Sequence, residues 1–546
     1  MSETSIFAQT IINQRYSHIK SDGTLETWED IANRVSKNVL SVVDLPKDTK
    51  HEIREIIIKK QFVPAGRYLF AAGRPFKQIS NCLSLRAEDS REGWADLLRK
   101  ASMALMTGAG IGVNYSDIRE EGRPILKTGG TASGPLSLMK MLNEVGREVK
   151  QGGTRRSACL SILSWRHPDI YKYIEAKEWK DNIKEAKAKD FNFPAPLDGT
   201  NISVQLDDDF FTAFHNTSNR LHSHATSIYW AVIENMLKTG EPGFTVDIGI
   251  NKHDNLRNAC GEFATDSDSE CCNLGSINLA RIESLDEMKK VVELGTIFLL
   301  AGSIYGDVPY SEIKSVIEKN RRIGLGLLGL HEWLLLRNKK YDVDEDLVKY
   351  LEIYATSTEI AHKYCSQFEI NNSVKTRCIA PSGTISLVAE TTSGIEPLFC
   401  AAYKKRYRKG SDLIEYQYVL DPTAKRLIDK GIDPDYIEDA YILSGDVERR
   451  VNFQAWIQKY VDMAISSTIN LPTFGTIQNN QDTIMPFGNM LIKYLPKLRG
   501  ITTYPDGARG AQPMIPIKWH TAIKHVGQIF VEGGDVCSIK GGSCNS

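Results

Sequence analysis

Two hydrophobic patterns alternate along the chain. Residues 90–108, SREGWADLLRKASMALMTG, carry apolar side chains at 94, 97, 98, 104 and 105, the spacing of one helical face, and end at a glycine. GIGVNYSDI (110–118) reads as extended, and PLSLMKMLNEVGREVKQ (135–151) is again helical, stopping at Gly152 and Gly153. ACLSILSW (158–165) predicts a buried strand, followed by a helix opening at His167 and Pro168, where proline suits the first turn. Two further amphipathic helices are predicted at 226–240 and 285–306. Strands alternating with helices over several hundred residues indicate an α/β architecture. The pattern does not separate a barrel from an open sheet.

With 546 residues, 42% of them hydrophobic, the chain can bury a large core. A net charge of −1 removes any broad electrostatic case for nucleic acid or an anionic membrane. The densest basic run, Lys404, Lys405, Arg406 and Arg408, is expected to be a solvated face. No apolar run approaches the roughly 18 to 20 residues of a membrane helix. The N-terminus lacks a signal-peptide pattern, so a cytoplasmic protein (in host cytoplasm, if of phage origin) is expected. Ten cysteines without a C-x-x-C pair argue against both a disulfide scaffold and a zinc site. Glu359 and His362 read as a helix surface, so no metal site is predicted.

The chemistry concentrates in NACGEFATDSDSECCNLGSINL (258–279), which holds Cys260, Cys271 and Cys272. If 258–262 is extended, Asn258, Cys260 and Glu262 point to one side with neighbours about 6.5 to 7 Å apart. That row suits a small polyhydroxylated ring: the amide can bond a hydroxyl, the carboxylate can take its proton, and the thiol can lose its hydrogen. Taken alone, Asn-x-Cys-x-Glu is a weak motif. Two further thiols, Cys537 and Cys544, sit on a glycine- and serine-rich C-terminal tail suited to thiol–disulfide exchange. Cys82 lies in an apolar setting, and Pro381 to Ser386 bring small and hydroxyl residues whose backbone N–H groups can face a phosphate. KQGGTRRSA (150–158) is a second glycine-basic loop.

The strings NCLSL, GAGIGVNYSDIREEG, TGGTASGP, KQGGTRRSA, HPDIYKYIEAK, NACGE, CNLGSINL, APSGTISL, SGIEPLF and TTYPDGARG follow in order from about Gln14 to the C-terminus. In them the chain resembles the catalytic large subunit of the ribonucleotide reductases. The resemblance implies a ten-stranded α/β barrel of two five-stranded halves, with Cys260 on a central finger loop. It implies an N-terminal helical segment (1–60), the barrel (61–525) and a redox tail (526–546). It makes Cys260 the thiyl radical that takes the 3′ hydrogen, Glu262 the base at the 3′ hydroxyl, and Asn258 the holder of the sugar hydroxyls. Cys82 and Cys272 would supply two electrons, with Cys272 fitting better than Cys271. Cys537 and Cys544 would re-reduce that pair and pass the oxidation to thioredoxin or glutaredoxin. Substrate would lie on Asn81 and on Pro381, Ser382, Gly383, Thr384, Ile385 and Ser386. A dNTP or ATP effector, with Mg, would bind at Asp89 and Arg119 near loop 123–131, in a homodimer. Gln151 and Arg155 would relay its identity.

The ATP-binding cone of many relatives is expected to be missing, since the chain begins almost at once with the catalytic region. For the radical source, the short Cys260-to-Cys272 spacing and the single tyrosine of TTYPDG resemble the cobalamin class. The C-x6-C tail and the chain length instead resemble minimal phage-type subunits fed by a partner. The latter is preferred: a separate ferritin-like dimetal subunit, with Tyr504 as the last stop before Cys260, and adenosylcobalamin as the alternative. The expected activity is ribonucleoside-diphosphate reduction, triphosphates being the other option. A non-catalytic nucleotide-binding paralogue disagrees with the full cysteine set, and a glycyl-radical lyase with the missing C-terminal glycyl segment.

Overall fold

The computed structural model describes residues 4–149, 158–190, 193–409, 413–508 and 514–531. Five strands, Cys82–Arg86, Gly110–Asn114, Cys159–Ser164, Thr200–Asp207 and Gly243–Asp247, pair in parallel, neighbour to neighbour in chain order. Parallel neighbours need long crossovers. Helices Arg91–Met106 and Gly134–Glu148 lie in the first two of the four, Ile170–Ile174 with Asp181–Lys189 in the third, and His222–Thr239 in the fourth. Each helix starts or stops where the local chemistry demands. The Ser90 hydroxyl accepts the Gly93 N–H at the start of the first, and Gly240 closes the last with φ +83°.

A second set of parallel pairings runs from Leu274–Asn278 to Gly324–Leu328. It continues through bridges Leu325–Arg377 and Ile379–Ile465, and then through Thr468–Leu471 paired with Gly500–Pro505. The two sets meet antiparallel where Gly500–Pro505 pairs with Gly243–Asp247. On the other side, Glu270–Cys271 pairs antiparallel with Cys82–Arg86. Inside lies a short hairpin, Leu256–Arg257 against Ala264–Thr265.

The predicted elements at 90–108, 110–118, 135–151 and 226–240 appear with small shifts at their ends. Two readings change. The helix expected at His167 and Pro168 begins only at Ile170, after a turn in which His167 Nδ1 accepts the Asp169 N–H. Helix Leu285–Tyr305 is not amphipathic beyond its first turns, because Leu294 to Gly302 are all buried. A helix apolar all round belongs in a core, and this one is packed by the N-terminal helices Trp28–Val39 and Lys47–Ile58 and by strand Leu274–Asn278. Glu359 and His362 lie exposed on helix Ser357–Gln367, and no metal-holding group occurs among the described residues. No described helix is long and apolar enough to cross a membrane.

Candidate active site

Residues 258–263 form the tip of the inner hairpin and are not extended. Gly261 takes φ +84°, the Gly261 N–H reaches the Asn258 carbonyl at 3.1 Å, and Asn258 N–H reaches the Phe263 carbonyl at 3.3 Å. The turn therefore does more than align Asn258 with Glu262. It brings them into contact, Asn258 Nδ2 donating to Glu262 Oε1 at 2.9 Å, while Asn258 Oδ1 accepts the Phe263 N–H at 3.2 Å.

The hairpin can enter the interior because the sheet beneath it has no side chains in the way. A Cβ at Gly112 would lie 2.1 Å from the Arg257 carbonyl, and one at Gly110 would lie 2.8 Å from Ala259 Cβ and 3.1 Å from Cys82 Sγ. The GIG of the second motif string is thus a cradle for the finger. The stem is clamped by buried charge: Arg257 pairs with Asp247, which Arg499 also reaches at 3.2 Å. On the returning strand, Thr265 Oγ1 donates to Glu270, which also accepts from Arg322 at 3.2 Å and Asn320 at 3.1 Å. Breaking one partner of such buried pairs costs about 3 to 5 kcal/mol.

Three thiols converge at this tip. Cys82 N–H donates to Cys272 Sγ at 3.0 Å, and the Cys82 thiol is hydrogen-bonded to both Cys260 and Cys272. Successive strand residues face opposite sides, so Cys271 turns away and accepts from Ser80 Oγ at 3.0 Å. Cys260 is half-buried, whereas Cys82 and Cys272 are buried. The hydrogen bond that Cys82 accepts from Cys260 favours its thiolate, but the bond its own S–H donates to Cys272, burial and nearby charge outweigh it, so its pKa rises well above the usual thiol range. Burial raises Cys272 as well. Both are neutral thiols at ordinary pH. Burial also pushes Glu262 up to about 7, against the pull of the Asn258 hydrogen bond. Its Oε2 is buried with no hydrogen-bond partner among the described residues.

This constellation floors a cleft of about 680 Å3, within the size range of small-molecule sites. Asn81 and Pro381 to Ile385 line its wall, as expected. Ser386 does not: it is buried, with Oγ bonded to the Gly383 carbonyl and Ser393. Ser382 holds the turn, in the left-handed region at φ +50°, its Oγ accepting the Gly394 N–H at 2.8 Å. Open space surrounds Gly383. Sequence reasoning missed Gln14, Arg15, Tyr16, Arg67, Phe70 and Arg74, which also line the cleft. No local pattern marks them, because they come from two separate stretches of chain, the end of helix Ile6–Arg15 and residues 67–74.

The other predicted residues lie elsewhere. Arg119 Nε donates to Asp89 Oδ2 at 2.7 Å on a surface about one-third exposed, beside a hairpin closed by the Pro124–Thr131 bridge. Tyr504 sits in strand Gly500–Pro505 opposite Asn470 and is not among the residues lining the cleft. Gln151, Arg155, Cys537 and Cys544 lie outside the described residues.

The family description "Ribonucleotide reductase, barrel domain" matches residues 80–224, 215–369 and 362–494. A vitamin B12-dependent ribonucleoside-diphosphate reductase of Thermoplasma acidophilum is 27% identical over 571 residues, covering 92% of this chain and 71% of that protein. One from Mycobacterium tuberculosis (strain CDC 1551 / Oshkosh) is 27% identical over 580 residues, covering 93% and 80%. A putative adenosylcobalamin-dependent ribonucleoside-triphosphate reductase of Mycobacterium phage D29 is 25% identical over 544 residues, covering 73% and 75%. A solved B-12 dependent (class II) ribonucleotide reductase shares the fold at TM-score 0.69 and 16% identity, covering 94% of this chain and 93% of that one. These relatives overturn the expected ferritin-like dimetal subunit as radical source, and Tyr504 loses its place as the end of a relay from such a partner. The motif order, the thiol-lined finger and the match across most of its length make this chain a member of the ribonucleotide reductase family.

Proposed function

We propose that the chain reduces ribonucleotides to 2′-deoxyribonucleotides in this cleft, with adenosylcobalamin as the radical source. One observation carries the chemistry: a half-buried thiol sits on the same turn as a buried carboxyl poised near neutrality, whose free oxygen awaits a hydroxyl. We read the two parallel sets of strands as the halves of a ten-stranded barrel, which the antiparallel junctions on both sides support. The three-part division at 60 and 525 follows the same reading, the leading part being the helices that pack onto Leu285–Tyr305.

The cofactor's fit rests on the rim, where Phe76 and Met106 are exposed at 47% and 62% beside a half-exposed Cys260. An apolar patch at the mouth of a cleft suits a large, flat ligand, and these residues would hold it. When bound, the cofactor supplies a radical able to take a hydrogen atom. The protein's own groups do the rest. Cys260, as a thiyl, takes the 3′ hydrogen, and Glu262 Oε2 accepts the 3′ O–H proton while Asn258 keeps the carboxyl oriented. The 2′ hydroxyl then leaves as water. Cys82 and Cys272 give two electrons and two protons, one leaving in the water and one ending on the 2′ carbon, and form one disulfide, while Glu262 returns its proton to the 3′ oxygen and Cys260 its hydrogen to the 3′ carbon. Neutral thiols suit this step because each must surrender a hydrogen with its electron. Asn81 and the 381–385 turn would hold the nucleotide. Arg119 and Asp89 are read as the base of an effector site under the 124–131 hairpin.

The test gives the isolated chain ribonucleotide, a deoxynucleotide effector, dithiol and adenosylcobalamin, with no second protein. Deoxynucleotide formation is the expected outcome. Activity only after adding a metal-loaded partner would refute the cobalamin reading.

A further inference from the structure

We propose that the basic shoulder of the cleft, Arg15 with Arg67 and Arg74, binds the outermost phosphate of the ribonucleotide's polyphosphate chain; this rests on the reading that the cleft holds a ribonucleotide. Helix Ile6–Arg15 lies against the short helix Gly383–Ala389. At one end Ser5 N–H donates to Glu390 Oε1 at 3.0 Å, just past the end of the short helix. At the other, Gln14, Arg15 and Tyr16 line the same cleft as Pro381 to Ile385. The two helices therefore run in opposite directions, and Arg15 leaves the last turn of one beside the first turn of the other.

Arg67 and Arg74 come from a second element and share one aromatic ring. Their guanidinium carbons lie 5.2 and 4.1 Å from the Phe70 ring centre. Arg67 is fixed by donating to the Gln78 carbonyl at 2.9 and 3.2 Å, and Arg74 Nε donates to the Phe70 carbonyl at 2.9 Å. Burial, with a smaller push from the neighbouring Arg34, holds Arg74 below the usual guanidinium range, against the pull of Glu26, which pairs with Arg34 at 2.8 Å. Among the described residues, the single carboxylate lining the cleft is Glu262, at the floor and half-protonated near neutral pH. Three guanidinium groups thus line a cleft wall that carries no carboxylate of its own, a setting that favours a polyanion.

Division of labour follows from donor type. Pro381 to Ile385 include no cationic side chain and offer only N–H and hydroxyl groups, which suit the inner phosphate oxygens. The charge of a terminal phosphate is larger and needs forked cationic donors, which guanidinium groups supply. The shoulder would then read how far the phosphate chain extends.

Arg15 is exposed at a helix end, so Arg15→Gln should leave the fold intact; Arg74→Gln is the second variant. The full-length protein is titrated calorimetrically with CMP, CDP and CTP. In the wild type, affinity should climb with phosphate number. Arg15→Gln should weaken CDP and CTP about tenfold and CMP less than twofold. Equal losses for all three nucleotides, no loss for any, or weakened adenosylcobalamin binding with an unchanged nucleotide series would each overturn the assignment. A wild-type chain that binds none of the three would bring down the ribonucleotide reading itself, a result distinct from a series that Arg15→Gln fails to move.

Discussion

The finger tip and the Asp89–Arg119 surface both rest on a polar pair, and they use it in opposite ways. At the tip, Asn258 and Glu262 are 0% and 1% exposed, and burial drives the carboxyl and the neighbouring thiols toward their neutral forms. At the surface, Arg119 and Asp89 are 34% and 31% exposed and sit at 2.7 Å as an ion pair. Such pairs contribute about 0 to 1 kcal/mol, because water already solvates both partners. The contrast teaches where each kind of work can be done. On the proposed function, moving hydrogen atoms and protons at the tip would use groups stripped of charge and water, whereas an effector site at Asp89 and Arg119 would use charges that stay solvated and cost little to re-pair.

The largest effect should come from the tip. Cys260→Ser keeps a polar group of similar size on the same turn, but an alcohol O–H is a far poorer hydrogen donor than a thiol. Multi-turnover deoxynucleotide formation should fall to background while the melting temperature holds, and measurable turnover would break the contrast at its centre.

Glu262→Gln comes next and tests whether dryness is what matters. Its pKa rises from 4.5 in the unfolded chain to about 7 in the native one. Between those values the native state binds a proton that the unfolded state has released, so stability falls as pH rises from about 4.5 to about 7 and is flat above. The full difference is about 3 kcal/mol. Glutamine has no such slope: above about pH 7 the variant should be more stable than wild type, yet turn over about 100- to 10,000-fold more slowly. Wild-type kcat/KM should rise with pH through about 7. Denaturant melts at several pH values check the first part, and a pH–rate profile the second.

Arg119→Ala should change stability by no more than about 1 kcal/mol. Its effect should be a flattening of how deoxynucleoside triphosphates alter base preference, measured with paired substrates. Unchanged effector responses would remove the surface from the comparison. Tyr504→Phe should matter least. With the radical source acting in the cleft, loss of that hydroxyl should change turnover less than about twofold, and a collapse would revive a relay through this strand.

Much of the fold was legible in local pattern. Helices such as Arg91–Met106 and strands such as Gly110–Asn114 announce themselves by period and by end residues such as Ser90, Thr107-Gly108 and Gly240. The N-A-C-G-E string and the two cysteine positions after it were legible as well, because chemistry needs those residue types at that spacing. Geometry was not. Residues 258–262 looked extended by analogy with a row of alternating side chains, and the turn at Gly261 shows instead that a hairpin joins Asn258 to Glu262 directly. Leu285–Tyr305 carries an amphipathic start, and only its burial on every side later on reveals a central helix.

The sequence by itself determined the α/β class and the family motifs, since these depend on residue type, order and short-range spacing. Tertiary structure decided what no short window contains. It placed Cys272, and not Cys271, against Cys82, in line with the preference the motif already gave, opened the sheet for the finger at Gly110 and Gly112, and raised Glu262 toward neutrality by burying it. It also brought Arg15 to a cleft whose floor lies some 245 positions further along the chain. Burial, close approach and long-range convergence are properties of the packed molecule, and a one-dimensional pattern holds them only through the fold it encodes.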